Sequence, residues 1–384
     1  MATDQRERLH VQTDDLDVPE ELSGRSLRTR LLLLGGLVLL VVALLTLLPG
    51  LGSLRTRLSH AKPGWLLVGV GLKVLSGLGY VAIFRIVFCR RMTWRVSTEI
   101  GMSELGANAL FPTGGAGGLA LGAWALKRGG MPAAVIARRT VAFFLLTSVP
   151  NVLAVILIGI GLASTLIPGE SNLLLTLLPA AIAAIAIAGS LIVGRHAEGL
   201  RLRMERSEAA SSPRRSQVLL KSLVTIADGV NEAVALLREA NAWLIAGIIA
   251  YLLFDMLIVW ASFRAFGAAP ALGVIFMAYL IGELGGLIPV PGGIGGIDAG
   301  LVGTFVLYHV PITAAASAVL AYRAIALWVP AVLGSGAFVL LRRTLRDEVE
   351  QISLCAPQTE MEVIGMGRVV ISPGERALQK QAFR

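Results

Sequence analysis

Two stretches of this chain place a carboxylate where a carboxylate is costly. The first runs from Glu104-Leu105-Gly106 to Pro112 and Thr113, then Gly114-Gly115-Ala116-Gly117-Gly118. The second runs from Glu283-Leu284-Gly285 to Pro291, then Gly292-Gly293-Ile294-Gly295-Gly296. The Glu-to-Pro spacing is the same in both, and Thr113 is the only insertion before the paired glycines. Both strings lie in apolar sequence, so each acid must be paired or wetted. Desolvation favours a neutral acid, which makes each glutamate a candidate for proton exchange or for contact with a polar headgroup. The competing role is a clamp on backbone N–H groups freed at the glycine break. Recurrence at matched positions favours function.

The prolines and glycines supply the rest of the chemistry. Pro112, Pro289 and Pro291 stop an incoming helix, and Gly114, Gly115, Gly292 and Gly293 permit the turn that follows. A new helix then starts with unpaired N–H groups directed into the membrane interior, an end that attracts anions, phosphate above all. Asn108 sits one turn after Glu104 on the same face, to contact a polar substrate or to partner Glu104. The second copy has Leu287 there. Arg138, Arg139 and Arg323 lie at or within the helices that follow each glycine segment. Arg323 is deep in its apolar run and must face the bundle interior, paired with an acid or a phosphate. Snorkelling accounts for at least one of Arg138 and Arg139. Lys73 and Asp255 are further charges within spans, and Asp298 follows the second glycine cluster.

The elements that position these groups follow from composition. The chain has 384 residues, 55% hydrophobic and 15% charged, which is too apolar for a soluble domain. Apolar runs long enough to span occur at Leu31 to Leu48, Trp65 to Phe88, Val141 to Leu166 and Leu173 to Val193. Two more are Trp243 to Phe263 and Ala314 to Leu341. Net charge is +9, but the basic residues gather between spans, which fits topology and anionic lipid and not nucleic acid. Cys89 and Cys355 suggest neither a disulfide framework nor a metal knuckle, and the four histidines are scattered. No metal, cofactor or catalytic constellation is expected, and so no enzyme.

Charge also sets the orientation. Lys and Arg cluster after Phe88, around Lys127 to Arg139, after Val193 and after Leu341, while the intervening connections are nearly free of them. Positive-inside therefore predicts a multi-pass cell-membrane protein with both termini cytoplasmic. The two glycine segments are then entered from opposite sides, each between two long helices, as in an inverted-topology repeat. The predicted fold is an all-α polytopic membrane bundle with that repeat and two glycine-broken helical hairpins, re-entrant or discontinuous. Val96 to Phe111 would be about 24 Å long, somewhat short for a full span. The organisation reads as a disordered head 1–27 and a transmembrane domain 28–343, with repeat A at 63–166 and repeat B at 241–343. A cytoplasmic connector at 195–240 and a tail at 344–384 complete it. Within the connector, Leu219, Leu223, Ile226, Val230, Val234 and Leu237 share one face from Ser216 to Ala240. That is an amphipathic helix along the membrane interface or one packed on the bundle.

The residues resemble a known family. Pro291-Gly292-Gly293-Ile294-Gly295 with Asp298, then Tyr322-Arg323 with Trp328 and Pro330, is similar to the lysylphosphatidylglycerol synthase transmembrane, or flippase-like, family. Asn108, Pro112, Gly114 and Gly115, with Leu126 and Gly129 ahead of Arg138 and Arg139, resemble its other signature. The resemblance covers roughly Leu31 to Arg343. It departs at Gly118 and Leu121, where the family usually has an acid and an arginine, and at Asp298, where a glutamate is usual. It implies the translocating half of such proteins without the aminoacyl-transfer domain. The expected function is movement of a phospholipid or lipid-linked anionic headgroup between leaflets, with an oligomer allowed. The competitors are a carrier for a small water-soluble solute, a membrane enzyme or accessory of lipid or glycan assembly, and a non-transporting scaffold. On this topology, a cysteine placed at Ser211 reacts with impermeant thiol reagents from the cytoplasmic side and one at Ser171 from outside; the reverse pattern overturns the orientation.

Overall fold

The computed structural model describes residues 59–110, 116–164, 214–239, 241–267, 269–284 and 295–347, with Thr56 and scattered positions between 166 and 202. The head, the first expected span, most of Leu173 to Val193, both proline–glycine turns and the tail beyond 347 lie outside the described residues. The elements are helices: α1 (Pro63–Phe88), α2 (Trp94–Leu110), α3 (Ala116–Arg128) and α4 (Ala133–Ala163), then α5 (Arg214–Arg238). After it come α6 (Ala242–Ala265), α7 (Leu272–Leu284), α8 (Gly296–Leu307) and α9 (Ile312–Asp347), in the same long–short–short–long order as the first four. Four expected spans are thus present as α1, α4, α6 and α9, each long and apolar enough to cross a membrane.

Local chemistry sets the helix ends. Pro63 opens α1, where a missing N–H costs nothing. Asn241 caps α6 by accepting from the Trp243 N–H at 3.0 Å. Past α3, Gly130 takes φ +83° while the Met131 N–H returns to the Leu126 carbonyl at 3.1 Å, a turn that glycine makes without strain. The two longest helices each carry one internal proline near mid-length, Pro150 in α4 and Pro330 in α9.

The first helices of the two halves, α1 and α6, run antiparallel against each other. At one end the Lys62 N–H donates to the Ala265 carbonyl at 2.8 Å, and Trp65 meets Trp260 edge-on at 5.1 Å under Arg264. At the other end Trp94, at the start of α2, meets Trp243 at 5.5 Å under Arg85. Tryptophan and arginine are the residues expected where a bundle passes from hydrocarbon to headgroups. Between these belts the backbones touch: a Cβ on Gly79 would lie 2.7 Å from the Gly247 carbonyl oxygen. Gly106 of α2 and Gly334 of α9 make a second such crossing, where a Cβ on Gly106 would meet the Gly334 Cα at 2.8 Å. Each main packing pair in one half has its counterpart in the other: α1–α2 with α6–α7, α2–α3 with α7–α8, α3–α4 with α8–α9, and α2–α9 with α4–α7. Exposed Leu67, Leu75, Phe144, Leu157, Ile249, Leu253, Val332 and Val339 turn the outside of the long helices apolar, the reverse of a soluble protein.

The connector helix forms as expected and packs on α4 of the bundle, through a face offset from the expected stripe. Val224, Ala227, Val230 and Ala233 are buried, and Gly229 lets the helix press on Val141 of α4. Leu223, Ile226 and Leu237 of the expected stripe stay 40–45% exposed. One covalent tie is unexpected: Cys89 is disulfide-bonded, with its partner outside the described residues. The Gly106–Gly334 seam gives a stability test. Gly106→Leu should lower thermal stability in detergent by about 2 kcal/mol or more, because backbone and not a flexible side chain must yield. Gly71→Leu, with nothing within 4 Å of its Cβ position, should cost under about 0.5 kcal/mol. Equal losses in the two variants would contradict the backbone contact.

Candidate functional site

Five charged side chains, each from a different helix, gather where the two halves meet. Lys73 of α1 donates to both carboxylate oxygens of Asp255 on α6, at 2.8 and 3.0 Å, with side chains only 10% and 11% exposed. The pair lies about 15 Å along α1 from its start, near the middle of a ~30 Å hydrocarbon layer. Tyr279 of α7 donates its hydroxyl to the same aspartate at 3.3 Å. One turn further along α7, Glu283 lies within electrostatic reach of Asp255, Arg323 and Lys73. Arg323 of α9 meets Asp298 of α8 at 2.8 Å, without the alignment of a hydrogen bond. The other oxygen of Asp298 accepts from the Gly295 N–H at 2.8 Å, which closes the start of α8 over a glycine at φ +90°. Tyr322 borders the cluster, its ring 6.2 Å from that of Tyr279.

These charges explain one another. Breaking a buried pair by removing one partner leaves the other charge uncompensated, at a cost of about 3–5 kcal/mol. Two cations, Lys73 and Arg323, face three acids, Asp255, Glu283 and Asp298. Among the described residues, Glu283 has the charged surroundings without a direct ion pair.

The first half is built differently. Glu104 is 1% exposed and accepts a hydrogen bond from the Tyr80 hydroxyl of α1 at 2.9 Å. Asn108 does not partner Glu104; its side-chain oxygen accepts from the Gly118 N–H of α3 at 2.8 Å, capping that helix from the facing arm. The glycine at 118 is what lets the arms close, since a Cβ there would lie 2.5 Å from the Glu104 carbonyl oxygen. Both helix starts expected to hold phosphate, those of α3 and α8, therefore already have one donor satisfied by a side chain. Pro112, Gly114, Gly115, Pro289, Pro291, Gly292 and Gly293 lie outside the described residues.

A tyrosine contact joins the two patches. The Tyr80 ring lies 5.5 Å from that of Tyr251, which is within electrostatic reach of Asp255 and Glu283. Arg138 and Arg139 are not brought to either patch. Both engage Glu232 of α5, at 2.5 and 3.3 Å, and Arg139 also donates to the Phe88 carbonyl. They tie the connector helix to the bundle, as the more distant Arg90–Glu239 pair does.

Sequence reasoning singled out Tyr322 but missed Tyr80, Tyr251 and Tyr279. Tyr80 precedes Glu104 by 24 residues and Asp255 precedes Tyr279 by 24, so each half has one tyrosine–carboxylate bond between its first and second helices. Donor and acceptor are exchanged between the halves, which hides the match from any comparison of residue types. The family model described as lysylphosphatidylglycerol synthase TM region matches residues 32–334, and the chain belongs to that family. No curated protein and no solved structure matches it.

The Lys73–Asp255 pair can be weighed by a double-mutant cycle. Lys73→Met alone should destabilise the detergent-solubilised protein by about 3–5 kcal/mol, and Lys73→Met with Asp255→Leu should recover most of the loss. Additive losses would show that the two side chains do not interact.

Proposed function

We propose that this protein moves a phospholipid, or a lipid-linked molecule with an anionic headgroup, between leaflets by alternating access of two inverted repeats. The observation that carries the reading is the five-helix charged cluster, because such charges at membrane depth mark a path for polar cargo. Membership in a family named for a lipid-synthase membrane region supports the lipid as cargo. The repeated helix order, the paired packing of the two halves and the antiparallel α1 and α6 support the inverted repeat. Helices α2, α3, α7 and α8, with 17, 13, 13 and 12 residues, would rise about 18–26 Å, less than a ~30 Å hydrocarbon layer. That supports two broken or re-entrant hairpins.

In this mechanism the headgroup phosphate draws Arg323 away from Asp298, which keeps its bond to Gly295. The positive end of the α8 dipole adds to the anion's hold. Glu283 accepts from hydroxyl or ammonium donors on the headgroup. Lys73 and Asp255 keep the halves in register, and the acyl tails stay against the exposed apolar faces of the long helices. Alternate exposure of the cluster to either side then carries the headgroup across.

Vesicles containing the purified protein should equilibrate acyl-chain-labelled phosphatidylglycerol between leaflets. Glu283→Gln and Arg323→Ala should each slow equilibration about tenfold or more, equivalent to ~1.4 kcal/mol, at unchanged folding. Full activity in both variants would sink the mechanism.

A further inference from the structure

The charged cluster leaves one buried acid unaccounted for. Glu104 lies in the seam between the two arms of the first hairpin, with its carboxyl under Gly122 of α3, where a Cβ would overlap Oε1. Among the described residues, the groups that face it are neutral. The Tyr80 hydroxyl comes from α1, Gly118 and Gly122 come from α3, and α9 presents the backbone of Pro330 and Gly334 to Gly106, two residues along α2. Asn108, on its own helix, is committed to Gly118. No cation among the described residues pairs with it; the nearest charged group set, around Asp255 and Glu283, lies beyond the Tyr80–Tyr251 contact.

A carboxylate sealed in such a place would carry an unmatched charge, whereas the neutral acid fits. Ionising it requires water or a cation, and among the described residues Gly118 lies against the α2 backbone and Gly122 against the Glu104 carboxyl, too close for either to fit between. Charge on Glu104 and closure of α2 against α3 therefore exclude one another. A purely structural acid has no need of this arrangement, since Tyr80 would be equally well satisfied by a neutral amide.

We propose that Glu104 is a proton-binding site whose occupancy sets the closure of α2 against α3, so that lipid movement is linked to proton uptake and release. The first clause stands by itself; the link to lipid rests on the function proposed above. Protonation holds the arms together, and loss of the proton opens the seam toward water, so binding a proton and closing the hairpin favour each other by the same factor.

Two measurements on the full-length protein test this separately. Infrared spectra of the protein in lipid nanodiscs should show a protonated-carboxyl C=O band near neutral pH that is absent in Glu104→Gln and shifted in Tyr80→Phe. Spectra of wild type and Glu104→Gln that are identical in this region from about pH 5 to pH 9 overturn the proton site. In vesicles, equilibration of labelled phosphatidylglycerol should vary about tenfold across that range in the wild type and less than about twofold in Glu104→Gln. An unaltered pH profile in Glu104→Gln overturns the linkage while leaving lipid movement in place. Absence of lipid movement in the wild type overturns the function itself, and the infrared result still decides the proton site.

Discussion

An ammonium and a carboxylate carried on two apolar helices cannot stay apart in hydrocarbon, and in this protein they are Lys73 and Asp255. Their contact fixes the register of α1 against α6, and that register aligns everything else along the two helices. It puts Gly79 beside Gly247 so that the backbones close, and it sets tryptophans against each other at both ends. It also turns Tyr80 toward Tyr251, the link between the patches around Glu104 and Glu283. A charge pair in water would supply little of this specificity; in a low-dielectric interior one slipped turn would strand two ions.

The hairpins respond to a second constraint, the small residues at their seams. Where Gly118 and Gly122 face α2, side-chain volume is absent and the space is filled by Glu104 itself. Where Asp298 closes the start of α8, an acid caps its own helix and at the same time meets Arg323. The first hairpin is thus sealed around a neutral environment, and the second is open to charge. Two similar strings of sequence therefore lie in surroundings of different electrostatic character.

Much of this was legible in the sequence, and the gaps have physical causes. The long helices were readable because apolar length is a one-dimensional property, and the ends moved by only a turn where Pro63 and Asn241 set them. Glu104, Glu283 and Arg323 could be singled out because a charge in an apolar run has to be explained. What could not be read was pairing. Nothing in the strings assigns Lys73 to Asp255, or distinguishes Arg323, which is held within the bundle, from Arg138 and Arg139, which hold α5 through Glu232. Asn108 illustrates the same limit: its position one turn after Glu104 suggested a local partner, but the three-dimensional fold offered a free N–H at Gly118.

The division of the Lys73–Asp255 pair between the two halves has a consequence for which segments can associate. Lys73 belongs to one half and Asp255 to the other, so neither half closes its own charge. Two copies of the first would bring lysines together without an aspartate, and two copies of the second would bring aspartates together without a lysine. Self-association of either half is therefore disfavoured in hydrocarbon, while union of the unlike halves is favoured. Each half is thus electrically complementary to the other and repellent to a second copy of itself.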